Sequence, residues 1–237
     1  MEITPLGDSA LIVRVRERFD DAPEETLNEV LRVFHRLESA AIPGVIELAP
    51  AYTTVAVFFD PTQVIQNTNE SGGVFESLKQ KIHEALSQDK HPKRKQAAAR
   101  LIDIPVCYDP EFAFDLDHVA QHAQISAKEV ADLHCRAEYR VNCIGFTPGF
   151  PFLSGLSERL ATPRRSTPRK EISAGSVGIG GKQTGVYPLK SPGGWNIIGR
   201  TPLPLFDPQK NPPALLRAGD RVRFRAITRE EFARSTT

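Results

Sequence analysis

The chain has 237 residues, of which 40% are hydrophobic and 25% are charged, and its formal net charge is +1. This composition is typical of a globular protein with one large or two ordinary domains, and a charge so close to zero gives no overall field directed at nucleic acid or an anionic membrane. There is no apolar run of about 18 residues and no signal-peptide core. The three cysteines, Cys107, Cys135 and Cys143, are too few and too dispersed for a disulfide framework. We therefore expect a cytoplasmic protein with core thiols and neither a membrane nor a nucleic-acid partner.

The first 90 residues are predicted to alternate strands with amphipathic helices. The apolar periodicity gives a strand at 11–16, a helix at 24–40, strands at 45–48 and 53–59, and a helix at 74–87. This βαββα order is one strand short of a ferredoxin-like unit. Residues 101–106, from beyond a basic segment, could supply the missing strand.

The basic segment, residues 87–100, predicts an interdomain linker, with domains at 1–90 and 91–237. No aromatic residue interleaves its charges, so a solvated connection is the preferred interpretation over a nucleic-acid contact.

The second domain is predicted to open with two helices. Asp115 or Asp117 caps a helix that runs to Ala123, and Ser126 and Glu129 have the spacing of a capping box at the start of the next. From Glu138 to Ile227, short apolar segments are separated by glycine and proline. That pattern indicates a β-barrel or sandwich.

Residues 145–200 combine glycine, proline, aromatic and basic residues at a density found nowhere else in the chain. Ser176 lies in AGSVG, but β-like sequence follows where a nucleophile elbow needs a helix. Lys182 follows glycines without the spacing of a phosphate loop. His118 and His122 share a helix face but lack further ligands at a recognisable spacing, so we expect no metal site.

Two basic and aromatic groups of residues remain as candidates for binding. A basic group at 164–170, made of Arg164, Arg165, Arg169 and Lys170, is stiffened by Pro163 and Pro168. It could bind an anion, or its members are ordinary surface residues. Trp195 is the sole tryptophan, and it could form the wall of a site or fill the interior of a barrel.

Five segments of the chain resemble the carboxyltransferase C/D family. They are TPLGDSALIV (4–13), GFTPGFPFLSGL (145–156), LATPRRSTPR (160–169), AGSVGIGGKQTGVYPLKSPGGWNIIGRTPLPLFDP (174–208) and PPALLRAGDRVRF (212–224). The resemblance implies an α+β protein in which a ferredoxin-like N-terminal domain precedes a cyclophilin-like β-barrel domain.

The resemblance also implies a role as the B subunit of a 5-oxoprolinase. With the A and C subunits, such a complex opens 5-oxo-L-proline, a small lactam, to L-glutamate at the expense of ATP. The ATP is consumed by the complex, and the C subunit of the 5-oxoprolinase is the expected direct partner. Family members with other roles leave two alternatives: an inhibitor that binds a sensor histidine kinase, and a component of an allophanate or urea pathway.

Motif position and chemistry, rather than known catalytic roles, suggest the site residues. Substrate binding is assigned to residues that are expected to line one cleft: Arg164, Arg169, Gln183, Thr184, Tyr187, Trp195 and Arg200. Partner binding is assigned to an apolar surface made by Phe146, Phe150, Pro151 and Phe152. No catalytic residue is assigned.

Overall fold

A computed structural model of the chain describes residues 1–66, 73–87 and 99–235. The chain divides into two units, Met1–Ala98 and Ala99–Thr237. The predicted linker at 87–100 lies almost entirely outside the described residues. The fold is α+β, as expected.

Unit 1 is a four-stranded antiparallel sheet with helices. Its elements are β1 (Glu2–Pro5), β2 (Ala10–Arg14), α1 (Pro23–Ala40), β3 (Val45–Ala51), β4 (Thr54–Phe59), α2 (Pro61–Gln66) and α3 (Val74–Ser87).

The strand order β1-β2-β4-β3 is that of a ferredoxin-like sheet, but the edge strand has an unexpected source. Strand β1 pairs antiparallel with β2 and takes the position predicted for residues 101–106. That prediction is wrong, because those residues lie in unit 2 and pair there with two barrel strands. The edge position is filled by the N-terminal strand, next to β2 in sequence.

The core of unit 1 lies between this sheet and the apolar faces of α1 and α3. Val30 of α1 and Leu78 and Ile82 of α3 are fully buried, as are Val55 and Val57 of β4. The stripe predicted from the spacing of apolar residues in α1 therefore faces the sheet.

Unit 2 is a closed barrel with two helices packed on its outside and a third at its end. Its elements are β5 (Leu101–Cys107), α4 (Leu116–Ala123), α5 (Ala127–Arg136), β6 (Glu138–Ile144), β7 (Pro151–Ser154), β8 (Arg169–Ile172), β9 (Ser176–Gly180), β10 (Gln183–Val186), β11 (Ser191–Gly193), β12 (Asn196–Arg200), β13 (Arg221–Ile227) and α6 (Arg229–Ser235).

The barrel closes in the order β10-β7-β6-β13-β5-β12-β9. Every neighbouring pair is antiparallel except β5 and β13, which run parallel through all seven residues of each strand. Strands β8 and β11 form a separate two-stranded sheet. Fully buried interior residues such as Ile104, Val141 and Phe224 fill the barrel, so it is a packed core rather than a channel.

Helices α4 and α5 lie against the barrel at β12 and β13 respectively. The predicted capping box is confirmed at α5, where the Ser126 side chain accepts from the Glu129 amide and the Glu129 carboxylate accepts from the Ser126 amide. Asp115 holds the N-cap position of α4 but makes no capping hydrogen bond, because its carboxylate is engaged elsewhere.

Candidate functional site

An aromatic cluster lies beside the β9–β10 hairpin, outside the main barrel core. Its members are Phe150, Phe152, Tyr187 and Trp195, together with Ile172 and Ile197. The rings meet edge to face, with Phe150 at 5.1 Å from Tyr187 and 5.4 Å from Trp195 between centroids. This geometry is the favourable one for aromatic pairs, so the cluster is a rigid platform.

Glycines make room for this platform. A Cβ atom on Gly180 would lie 2.6 Å from the Trp195 indole, and one on Gly193 would lie 2.4 Å from the Tyr187 hydroxyl. The glycine-rich sequence of this region is therefore explained by close packing against aromatic rings. Trp195 is only 4% exposed, so of the two interpretations left open for it, packing accounts for most of its surface.

The predicted apolar docking surface is only partly exposed. Phe150 and Pro151 are buried and Phe152 is partly buried, so the prediction that all four residues present apolar surface needs correction. Pro151 begins the barrel strand β7, and Phe150 and Phe152 on either side of it pack into the aromatic cluster. Phe146 alone of the four is exposed, with 62% of its surface accessible.

Phe146 sits at the centre of a tight turn. The Thr147 amide donates to the Gly145 carbonyl at 2.8 Å, and Phe146 has a φ of 66°. A hydrogen bond between residues two apart around a positive φ is the pattern of a γ-turn of the rarer hand, which is strained for a bulky residue. The turn directs the Phe146 ring towards the platform, 5.5 Å from Phe150 and 6.3 Å from Tyr187 between centroids.

Two side chains of the arginine loop, residues 163–169, bind one buried carboxylate, that of Asp115. Arg169 donates to both oxygens of Asp115 at 2.7 and 2.8 Å, and Arg165 adds a third bond at 2.7 Å. The fourth comes from the backbone amide of Ile197 at 2.7 Å. Asp115 was expected only as a helix cap, and its identity as the anchor of this loop was missed.

Two opposing effects act on the Asp115 carboxyl. Burial raises its pKa, whereas the hydrogen bonds from Arg169 and the Ile197 amide, with the charges of Arg169 and Arg165, lower it. The lowering effects prevail, so the pKa of Asp115 lies below its ordinary value and the group is ionised at neutral pH.

Arg164 differs from its neighbours because its charge is directed outwards. It is exposed, and its guanidinium carbon lies 5.8 Å from the centroid of the Trp195 ring. Within the described parts of the chain, the ion pairs of this loop involve Arg165 and Arg169 but not Arg164. The structure therefore places Arg164 beside Trp195, which packs with Tyr187 in the aromatic cluster.

The structure places Arg200 at the opposite end of strand β12 from Trp195. Five residues of extended chain correspond to about 17 Å, so these two residues do not line one cleft. The Arg200 Nε donates to the Ala174 carbonyl at 2.9 Å, and its guanidinium lies 5.9 Å from the Phe112 ring and 6.0 Å from the Phe232 ring. It fastens α6 to the barrel.

The other two members of the predicted set lie in β10. Gln183 is partly exposed at the start of the strand, opposite Gly180. Thr184 is fully buried in the barrel interior and has no surface to offer a ligand.

Thr184 belongs to a chain of hydrogen bonds that the sequence did not reveal. Its hydroxyl donates to the Gly178 carbonyl at 3.0 Å and accepts from His134 Nε2 at 3.0 Å. His134 Nδ1 then accepts from the Tyr108 hydroxyl at 2.7 Å, and the Cys135 thiol lies 3.4 Å from that hydroxyl. This tautomer gives every donor in the chain an acceptor.

Burial keeps these groups uncharged. It lowers the pKa of His134 to about 3 and raises the pKa values of Tyr108 and Cys135. His134 and Cys135 are adjacent in sequence, but the thiol bonds to Tyr108, so the pair does not form a nucleophilic dyad. Cys107 and Cys143 are also buried, which confirms the three cysteines as core or near-core thiols.

The remaining sequence candidates are Ser176, His118 and His122, which lie on a strand and a helix of unit 2. Ser176 is buried at the start of β9, where a strand follows rather than a helix. His118 and His122 are exposed on α4. Over the described ranges, no three His, Cys, Asp or Glu side chains are grouped to hold a metal ion. No helix among those residues is long and apolar enough to cross a membrane.

The family model for the carboxyltransferase domain, subdomain C and D, matches residues 1–216. The chain belongs to this family. Two bacterial relatives of this carboxyltransferase C and D chain bear the name of the 5-oxoprolinase B subunit. That of Bacillus subtilis is 45% identical over 98% of this chain and 95% of its own length. That of Escherichia coli O157:H7 is 40% identical over 92% of this chain and 93% of its own length.

Solved structures support the same membership. The protein TTHA0988 is 35% identical with a TM-score of 0.75 over 92% of this chain, which spans only 40% of that longer chain. The urea carboxylase of Kluyveromyces lactis has a TM-score of 0.73 over 98% of this chain and 22% of its own, at 21% identity. At this identity the similarity to the urea carboxylase shows the fold alone, and it confirms the cyclophilin-like barrel.

Proposed function

We propose that this chain is the B subunit of a 5-oxoprolinase, a complex that hydrolyses 5-oxo-L-proline to L-glutamate together with the A and C subunits. The observation that carries the proposal is the 45% identity to the Bacillus subtilis protein, which extends over 98% of this chain and 95% of the relative. Because the similarity covers nearly the whole of both chains, it favours two proteins with the same role rather than two proteins that share a single domain.

The chemistry of the reaction explains why ATP is needed. An unstrained lactam is a poor electrophile, and phosphorylating its carbonyl oxygen creates a leaving group. Protein groups then have to hold the phosphate and the lactam together and to stabilise charge. We propose that the complex consumes ATP for this step.

In this chain the exposed guanidinium of Arg164, which lies beside the Trp195 ring, is suited to that work, because a guanidinium pairs with carboxylate and phosphate groups. The buried His134 chain is neutral and fully paired, which favours a structural role for it. We propose cytoplasm as the compartment, in keeping with three free cysteines.

Reconstitution tests this function. The chain is purified with the A and C subunits, and ATP-dependent glutamate formation from 5-oxo-L-proline is measured against each pair of subunits. We expect glutamate only from the full set, since a B subunit completes the complex. A full set that makes no glutamate, although all three chains are folded and copurify, would contradict the proposal. The kinase-inhibitor and allophanate roles stay predictions.

A further inference from the structure

Phe114 is a large aromatic residue that lies on the surface of unit 2 directly beside a fixed cation. Its neighbours in sequence, Ala113 and Asp115, are both buried, but 65% of the surface of Phe114 is accessible. The guanidinium carbon of Arg169 lies 5.9 Å from the centroid of the Phe114 ring, within the range of a cation–π contact. Most of the ring is therefore open to contact from outside.

The backbone beneath this ring and the cation beside it are both held in place. The Asp115 amide, next to Phe114, donates to the Ile197 carbonyl at 2.8 Å, and the Ile197 amide donates to the Asp115 carboxylate at 2.7 Å. The same carboxylate binds the guanidinium of Arg169 through both of its oxygens. The ring and the cation are therefore positioned before any partner arrives, which lowers the entropic cost of binding.

The charges around Asp115 do not balance. Its carboxylate accepts four hydrogen bonds, three from guanidinium groups and one from the Ile197 amide, so its acceptor positions are filled. Arg165 and Arg169 share this one carboxylate, which leaves one positive charge without a counter-charge. Asp115 takes one of the five donors of Arg165, whose side chain is 36% exposed, so other donors of Arg165 are available to a second carboxylate.

An exposed ring beside an uncompensated guanidinium group is suited to a protein surface that carries a carboxylate next to an apolar side chain. Aromatic and arginine side chains are enriched at the centres of protein interfaces, where they supply most of the binding energy. A free anion would use the cation but not the ring. The formal net charge of +1 gives no overall field that would favour nucleic acid. A protein with an acidic segment is therefore the occupant that uses both groups.

A second copy of this chain is less suitable. In a symmetric dimer the same surface meets itself, so two clusters with a surplus positive charge would face each other. Like charges brought together across an interface cost binding energy. The charge around Asp115 therefore favours a different protein with acidic groups.

We infer that Phe114, Arg165 and Arg169 form a docking surface for an acidic segment of a partner protein, with a partner carboxylate on Arg165 and an apolar partner side chain on the Phe114 ring. We call these three residues the Phe114 surface. Under the proposed function, on which the choice of partner rests, that protein is the C subunit of the 5-oxoprolinase. This assignment differs from the one made from sequence, which placed partner binding on residues that the fold largely buries.

Surface plasmon resonance with the purified C subunit measures the affinity and the association rate of the full chain. Phe114→Ala should weaken binding by about tenfold or more, the usual effect of truncating an aromatic anchor of an interface. Arg165→Gln leaves both bonds from Arg169 to Asp115 in place. It should weaken binding, slow association and reduce the dependence of the rate on salt, because a partner carboxylate is no longer attracted to this position.

Two matched controls change similar side chains elsewhere on unit 2. Arg225→Gln removes an exposed arginine from β13, and Phe146→Gly removes another exposed phenylalanine, which is 62% accessible. Both controls should bind the C subunit as the wild type does. An unchanged midpoint of urea unfolding shows that Phe114→Ala and Arg165→Gln are folded, so a loss of affinity belongs to the surface.

The outcomes are distinct. Weaker binding by both test variants supports the inference, even if the three subunits make no glutamate, in which case only the proposed function fails. Wild-type affinity in Phe114→Ala and Arg165→Gln, weakening by Phe146→Gly alone, or no binding of the C subunit by the wild type would each overturn it. A dimer of the isolated chain that Phe114→Ala dissociates, or heparin bound as tightly as the C subunit, would overturn it in favour of a second copy or a general anion site. If the test variants bind normally and the complex makes glutamate, the proposed function stands without this surface.

Discussion

Replacing Asp115 by asparagine isolates the role of the buried carboxylate. The substitution keeps the size of the side chain but removes its charge, and it turns one acceptor into a donor that faces the donors of Arg165, Arg169 and the Ile197 amide. Two guanidinium groups lose their counter-ion, and at least one buried donor loses its acceptor.

The magnitude follows from how far water can reach the orphaned groups. Breaking a fully buried ion pair by removing one partner costs about 3–5 kcal/mol. Here the Arg169 and Arg165 side chains keep 25% and 36% of their exposure, so partial hydration offsets some of that cost. We expect the free energy of unfolding of unit 2 to fall by about 2–4 kcal/mol, which lowers its melting temperature on the order of 10 °C.

Urea unfolding followed by Trp195 fluorescence measures this change in unit 2 alone, because unit 1 has no tryptophan. The control is Asp117→Asn, at an exposed position in the first turn of α4, which should cost less than about 1 kcal/mol.

The stabilisation by Asp115 also depends on pH. Folding lowers the pKa of Asp115, so its contribution to the free energy of unfolding is present above its unfolded pKa of about 4 and is lost as the pH falls through the folded value. The difference between wild type and Asp115→Asn should therefore shrink below pH 4. A full-size difference that persists there, or none at pH 7, would refute this account.

Three further predictions concern packing and protonation. Gly180→Ala places a Cβ 2.6 Å from the Trp195 indole and should destabilise unit 2 by about 1–3 kcal/mol, with a red shift of Trp195 emission; Gly194→Ala, with its nearest contact at 3.7 Å, should be close to neutral in the same assay. Phe146→Gly relieves backbone strain of about 1–2 kcal/mol and should leave unfolding free energy within about 1 kcal/mol of wild type, whereas truncating the buried Phe150 to alanine should cost about 3–5 kcal/mol; a large loss from Phe146→Gly in urea unfolding would contradict the strain argument. His134 has a folded pKa of about 3 against an ordinary 6.5, so its neutral form stabilises the fold above pH 6.5 and this contribution falls as the pH drops towards 3. Between pH 7.5 and 5, wild type should lose up to about 2 kcal/mol more than His134→Gln, and parallel pH profiles of the two proteins would argue against a neutral buried imidazole.

Local patterns predicted the elements that depend on local interactions. Helix α1 was expected over 24–40 and begins at Pro23, and the capping box at Ser126 formed as its spacing indicated. In both cases the interacting residues lie within a few positions of one another, so a short stretch of sequence is enough to predict the element.

Residues 101–106 show the limit of local reasoning. A strand was predicted there and is observed as β5, but the sequence of a strand does not identify the strand with which it pairs. The strand with which they pair, β13, lies about 120 residues further along the chain. The predicted sheet of unit 1 lacked one edge strand, so it was an equally plausible place for them.

The candidate site divides in the same way. Three members of the motif-based grouping are neighbours, since Arg164 lies beside Trp195 and Trp195 shares the aromatic cluster with Tyr187. Arg200 was misplaced, although the extended spacing along one strand could have separated it from Trp195. Asp115 could not have been found from sequence, because an aspartate before a helix has the same local signature whether it caps that helix or binds arginines from a distant loop.

The parallel pairing of β5 with β13 has a consequence for synthesis of the protein. The first strand of unit 2, β5, finds its parallel neighbour only when residues 221–227 have left the ribosome, so the barrel cannot close during most of its translation. Unit 1, whose four strands all lie before residue 60, faces no such delay. The nascent chain therefore carries a folded unit 1 and an open, strand-rich unit 2 until β13 emerges. A chain that stops short of β13 leaves the edges of β5 and β6 unpaired and prone to aggregation.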